Sequence, residues 1–251
     1  MLKTRVIPCL LLKGKGLVKS IRFKDHRYIG DPMNAVKIFS EKEVHELVFL
    51  DITASKEGKR ISTSTVADIA DECYMPFAVG GGIKTIEDIH ELLNNGAEKV
   101  SINTAAIENP GLIKEASRIF GNQSILVSID AKKKMFGGYD VLLKGKKTGI
   151  DPIKHAIDME KMGAGEIMIT SVDNDGKMEG YDLELVKMVS DAVSVPVIAC
   201  GGAGSVKDLG DAVKTGNASA VAAGSLFVYH GPRRAVLINF PDKEELEGVF
   251  R

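Results

Sequence analysis

PFAVGGGIKTIEDIHELLNNGAEKVSINTAAI, residues 76–107, and PVIACGGAGSVKDLGDAVKTGNASAVAAGSLF, residues 196–227, carry one pattern twice. A shift of 120 positions aligns them without a gap, pairing Pro76 with Pro196, Gly81-Gly82 with Gly201-Gly202, Asp88 with Asp208 and Gly96 with Gly216. Under that shift Glu46 meets Glu166. With a shift of 119, Val6-Ile7 meets Ile125-Leu126 and Lys13 meets Lys132. The chain therefore reads as one half used twice rather than as a many-repeat solenoid.

Outward from these stretches, short apolar runs recur at roughly 5–12, 46–51, 76–80, 98–103, 124–130, 165–170, 195–200 and 218–224. Continuous runs such as Leu47-Val48-Phe49-Leu50 and Ile167-Met168-Ile169 mark parallel strands buried on both faces. Amphipathic stretches lie between them; residues 85–95 start at a Thr-Ile-Glu-Asp cap and stop at Gly-Ala. Eight strands alternating with helices, without a long linker, predict a single α/β domain over 1–251, a (β/α)8 TIM-type barrel of two similar halves.

The 251-residue length suits one such barrel, and 44% hydrophobic residues supply its core. A net charge of −1 gives no electrostatic case for nucleic acid or an acidic membrane. The N-terminal apolar run is too short to span a bilayer and lacks a signal cleavage site, so a cytoplasmic location is expected. Cys9, Cys73 and Cys200 have no ligand spacing and read as reduced thiols.

Two stretches depart from the regular alternation. Residues 13–31 form a basic segment after the first strand (Lys13, Lys15, Lys19, Arg22, Lys24, Arg27), expected to be a mobile loop around Gly14 and Gly16. Residues 132–149 follow the fifth strand and suggest a small hairpin around Gly137-Gly138. Both leave the C-terminal ends of strands, the face where barrel enzymes keep their chemistry.

Val79-Gly80-Gly81-Gly82-Ile83 and Cys200-Gly201-Gly202-Ala203-Gly204 end the third and seventh strands. Glycine there lets backbone amides approach an anion, although tight turns also need glycine. Each is followed by a small polar cluster on the next strand, Asn103-Thr104 and Gly224-Ser225. Gly81, Gly82, Asn103, Thr104, Thr170, Gly202, Gly204, Gly224 and Ser225 are thus candidate phosphate ligands, and two cradles suggest a ligand with a phosphate at each end. Asp51 and Asp130 end the second and fifth strands as candidate acids or bases, with a capping or turn role open for each. Residues 171–176 resemble the start of a calcium loop, but Ser171 replaces the first ligand and a strand leads in, so no metal is expected. No cofactor motif is present.

Taken together, these blocks resemble the cyclase subunit of imidazole glycerol phosphate synthase, a histidine-biosynthesis barrel, from Arg5 to about Phe227. They include Asp51-Ile52-Thr53-Ala54-Ser55, Lys99-Val100-Ser101-Ile102-Asn103, Ile129-Asp130-Ala131-Lys132 and residues 173–181. The resemblance implies a glutaminase partner at the N-terminal barrel face, ammonia passing along the axis, and a bis-phosphorylated substrate at the C-terminal face. It casts Asp130 as the strand-five catalytic aspartate and Lys19 as the mobile-loop lysine. Asp51 and Asp175 become acidic residues of the site, while Arg5, Glu46, Lys99 and Glu166 become a charged gate for ammonia. The same four charges would also fit a salt-bridge plug at the barrel bottom.

One departure stands out. The family carries a second catalytic aspartate at the end of strand one, and here that place is Leu11, which the 119-residue shift sets opposite Asp130. The ending, Gly224 to Gly231 followed by Arg233-Arg234-Ala235-Val236-Leu237-Ile238, resembles a paralogous branch. That branch accompanies a glutaminase-like protein and a sugar amidotransferase in bacterial surface-glycan (lipopolysaccharide) synthesis. Three functions follow as expectations: a diverged subunit relaying ammonia for sugar amidation, a histidine-pathway cyclase, or a non-catalytic scaffold activating a glutaminase.

Overall fold

The structure, a computed structural model, describes residues 4–251. Eight parallel strands form its centre: β1 (Arg5–Lys13), β2 (Leu47–Asp51), β3 (Phe77–Gly80), β4 (Lys99–Ile102), β5 (Ile125–Lys133), β6 (Glu166–Ser171), β7 (Val197–Cys200) and β8 (Ala220–Ala223). Each pairs with the next in sequence, and β8 pairs with β1, so the sheet closes. Closure removes every edge of the parallel sheet and establishes the (β/α)8 barrel. The sequence-based strand positions agree to within about two residues at each end, except for the finish of the longer β5.

Helices cover the outside: α1 (Pro32–Glu41), α2 (Thr63–Glu72), α3 (Ile86–Asn94), α4 (Gly111–Phe120), α5 (Pro152–Lys161), α6 (Leu183–Ser190), α7 (Val206–Lys214) and α8 (Lys243–Phe250). Their starts repeat the half-barrel symmetry. Asp31 and Asp151 cap α1 and α5 just before a proline at the first helical position. Thr85 with Asp88 and Ser205 with Asp208 make matching capping boxes on α3 and α7. Strand residues facing outward join the helices in the main core, while Ile7, Val48, Leu126, Met168 and Ile198 fill the lumen below the site.

The hairpin expected after β5 is present: Tyr139–Leu143 returns antiparallel to β5, with Gly137 and Gly138 in left-handed conformations at the turn. The segment after β1 differs from expectation. It is not an irregular loop but a second hairpin, Gly16–Ile21 and Lys24–Gly30, whose first strand pairs Leu11 with Val18 and Lys13 with Gly16. Gly14 (φ 60°) makes the tight turn, and a Cβ on Gly16 would lie 2.6 Å from the Tyr28 ring. Those glycines shape the hairpin rather than loosen it. Its Leu17 and Val18 are buried, which anchors it to the barrel.

Candidate functional site

At the C-terminal face a cavity of about 280 Å³ opens between the two hairpins. Leu11, Lys19, Asp51, Gly81, Gly82, Asn103, Thr104, Asp130, Thr170, Asp175, Gly202, Gly224 and Ser225 all line it. The structure thus gathers residues from all eight strand ends and the β1 hairpin into one place, although they are spread across the chain. Gly204 stays outside the lining. Its amide donates to Asp208 Oδ2 (2.9 Å) in the α7 capping box, and a Cβ there would lie 2.2 Å from the Met178 carbonyl. Gly204 therefore packs the β7 turn and is not placed to hold an anion, contrary to its assignment as a phosphate ligand.

The other Gly-rich positions fit cradles. Among the described turns, the amides of Gly82, Ile83, Gly202 and Ala203 donate to no protein acceptor. A Cβ on Gly82 would sit 1.8 Å from the Lys59 carbonyl and one on Gly202 2.1 Å from the Gly180 carbonyl, so only glycine lets these turns close. Such backbone donors at a cavity wall suit phosphate oxygens. Lysines also stand at the mouth, where Lys19, Lys56 and Lys144 line the cavity. Burial, then repulsion from Lys13 and Lys56, pushes His26 below its ordinary pKa.

Asp130 is central. Its Oδ2 accepts from Asn103 Nδ2 at 3.0 Å, and burial raises its pKa to about 7, helped by Asp175 and opposed by the Asn103 bond. A carboxyl poised there exchanges a proton readily near neutrality. Asn103, expected to hold phosphate, lines the cavity and also donates its Nδ2 to this acid. Burial likewise raises Asp175, against the pull of Lys19 and a 3.4 Å bond from Ser20 Oγ. Lys19 is itself buried, its Nζ 3.4 Å from the Cys9 carbonyl and packed so close to Gly224 that no Cβ would fit.

Asp51 lines the cavity but has a structural occupation. Its Oδ1 accepts from the Thr53 amide (2.9 Å), the Thr53 hydroxyl (2.9 Å) and the Ala54 amide (3.1 Å), closing the turn after β2. Thr170 is buried beside Asp130 in the β5–β6 register. At the end of β1, Leu11 matches Asp130 in burial as well as in sequence alignment: the patterns from Val6 and from Ile125 coincide through Leu12 and Ala131.

At the opposite end of the lumen the four charges meet. Arg5 reaches Glu46 (2.5 Å) and Glu166 (2.6 Å), and Lys99 reaches Glu46 (2.9 Å) and Glu166 (3.1 Å). Burial opposes the charge on Arg5, yet Glu166 and Glu46 outweigh it and raise its pKa. The ring is closed, each ion serving two partners.

Sequence reading overlooked the thiol pair. Cys9 and Cys200 both line the cavity and belong to one buried cluster, and the neighbouring Cys9 thiol together with burial holds Cys200 well above the ordinary thiol range. Matched residue types on β1 and β7 gave no spacing signal, because the contact exists only across the closed barrel. Ser20 was missed for the same reason. Among the described residues no cluster of three or more His, Cys, Asp or Glu could hold a metal, and no helix is long and apolar enough to cross a membrane.

Residues 5–232 match the model of a family described as "Histidine biosynthesis protein". A Pseudomonas aeruginosa protein named "Putative imidazole glycerol phosphate synthase subunit hisF2" is 49% identical over 249 residues, 98% of this chain and 99% of its own. One from Leptospira interrogans, "Putative imidazole glycerol phosphate synthase subunit HisF", is 48% identical over 256 residues and all of both chains. The "Imidazole glycerol phosphate synthase subunit HisF" of Alkaliphilus metalliredigens is 43% identical over 232 residues, 92% of each chain.

Proposed function

We propose, from the premise that this chain belongs to the histidine biosynthesis protein family, that it is the barrel subunit of a glutamine-dependent system diverged from imidazole glycerol phosphate synthase. It receives ammonia from a glutaminase docked at the N-terminal face, beneath the ring of Arg5, Glu46, Lys99 and Glu166. It passes the ammonia along the lumen to the cavity and serves amidation of a sugar, with a sugar amidotransferase as a further partner, in surface-glycan synthesis. The sugar assignment rests on the resemblance of the ending to the branch described above. The ammonia assignment rests on the closed ion ring below and the anion cradles above.

The single observation behind divergence is Leu11 occupying the place that mirrors Asp130. Asp130, poised about neutrality, serves as the acid that trades a proton with ammonium or its product. Leucine can neither transfer a proton nor orient water, so the two-acid chemistry of a cyclase lacks one member.

A second reading, retained cyclisation to imidazole glycerol phosphate and an aminoimidazole ribotide, is favoured by one arrangement. Asp175 lies close enough to raise Asp130 and stands beside Lys19, so it offers a second acid from the loop after β6. The test is to mix the purified chain with the bis-phosphorylated histidine-pathway substrate and an ammonium salt, and follow substrate loss. The proposal expects no turnover in the native protein and turnover rising by roughly 10²-fold or more in Leu11→Asp. Robust native turnover, little changed by Leu11→Asp, would sink it in favour of the cyclase.

A further inference from the structure

The family match ends at residue 232, and the chain just beyond it reaches back to the loop that carries Asp175. Tyr229 and His230 pair antiparallel with Val236 and Ala235, forming a small clasp. At its turn Arg234 adopts φ 50°, its amide donating to the Gly231 carbonyl at 3.0 Å. Its guanidinium forks onto two consecutive carbonyls, Nη1 to Gly176 (3.0 Å) and Nη2 to Lys177 (2.8 Å). These carbonyls immediately follow Asp175.

The β1 hairpin holds the opposite side of the same loop. The Arg22 amide donates to the Asp175 carbonyl (3.0 Å), Arg22 Nε to the Asp173 carbonyl (3.3 Å), and Ser20 Oγ to Asp175 Oδ2 (3.4 Å). A Cβ on Gly176 would come within 2.1 Å of the Ser20 carbonyl, so loop and hairpin backbones touch. Arg27 ties hairpin to clasp, bonding the Arg234 carbonyl (3.5 Å) and lying 5.8 Å over the Tyr229 ring.

We propose that Arg234 is a positioning residue, which pins residues 173–181 against the β1 hairpin and thereby keeps Asp175 in the cavity with Lys19 and Asp130. The planar fork matters, because it fixes two carbonyls at a set spacing, whereas a lysine ammonium is a single point donor. Asp175 faces Lys19, the Ser20 hydroxyl and the Phe23 amide from the hairpin, Asp130 from β5, Cys9 from β1 and Cys200 from β7. The fork acts on the backbone that places Asp175 among these groups. The inference rests on the reading of Asp175 as a residue of the functional site, but its test uses no substrate.

Hydrogen exchange by mass spectrometry is compared for the native chain, Arg234→Ala, Arg234→Lys and Arg233→Ala. Arg233 is exposed and supplies the control. Amides of residues 173–181 are expected to exchange at least about tenfold faster in both Arg234 variants and unchanged in Arg233→Ala. A carbon-13 carboxyl titration then reads Asp175 itself: its raised midpoint should fall toward the ordinary carboxylate range in Arg234→Ala, as water reaches it. Native-like protection in Arg234→Ala overturns the proposal. So does faster exchange with an unmoved Asp175 midpoint, or uniform acceleration through α3 and α7, since Arg234 would then brace the fold alone. A failed amidation assay leaves all these outcomes readable.

Discussion

The two halves of the barrel share a backbone plan and divide the chemistry unequally. At the top, β5 carries Asp130 and β1 carries Leu11 near their C-terminal ends, at positions with the same burial. At the bottom, both halves supply a glutamate, Glu46 and Glu166, but both cations of the ring, Arg5 and Lys99, come from the first half. The shift of 120 that carries Glu46 to Glu166 carries Lys99 to Ser219, and the shift of 119 carries Arg5 to Ser124. Symmetry thus persists where backbone geometry demands it, in caps, glycine turns and strand register. It fails where a single charge suffices, because the lumen and the cavity each have one axis to serve and need no duplicate.

The ring should show the largest stability effect. Lys99→Ala leaves nearly inaccessible Glu46 and Glu166 to share Arg5, and is expected to lower unfolding free energy by about 3 kcal/mol, measured by chemical denaturation. In the assembled system, glutaminase activity measured separately from amidated product should reveal lost coupling. If both rates survive Lys99→Ala, the ring is a structural plug.

The Asp130–Leu11 contrast gives the next effect. The Asp130 carboxyl holds its proton up to about pH 7 when folded, whereas an unfolded carboxyl releases it near about pH 4. Between those values the folded state binds more protons, so stability falls as pH rises through the window and levels off above it. Asp130→Asn should remove the share of that slope due to Asp130, leaving that of Asp175, and add about 2 kcal/mol at pH 8, less than the full shift implies because the cavity admits water. Leu11→Asn should leave the slope intact. Equal pH dependence in native protein and Asp130→Asn would show that Asp130 is not the poised acid.

The smallest effect concerns Asp51, whose counterpart in the second half is Ser171. Asp51→Ala removes three hydrogen bonds from the turn after β2 and should lower stability by about 1 kcal/mol. A loss of activity far exceeding that destabilisation would restore Asp51 to a chemical role.

Much of this was readable in the linear chain. The shifts of 120 and 119 located the strands, the paired glycine turns and the Leu11–Asp130 mismatch, because parallel strands buried on both faces leave continuous apolar runs. Gly204 was read too chemically, and the turn-closing role left open for Asp51 is the one its hydrogen bonds display. A carboxylate or glycine at a strand end looks alike whether it serves a ligand or closes a turn, and only hydrogen-bond partners separate the two. The β1 segment differs from expectation because its lysines and glycines masked the buried apolar anchor of Leu17, Val18 and Ile29.

The sequence by itself determined the barrel, its doubling and the identity of every charge, since periodicity and residue type are local properties of a chain. Only the tertiary structure decided which charges meet. Closure of the strands brought Arg5 to Glu166, Cys9 to Cys200 and Arg234 to the carbonyls behind Asp175. Those contacts join positions far apart in the chain, and their strength depends on distance and burial. No spacing along a sequence encodes either quantity.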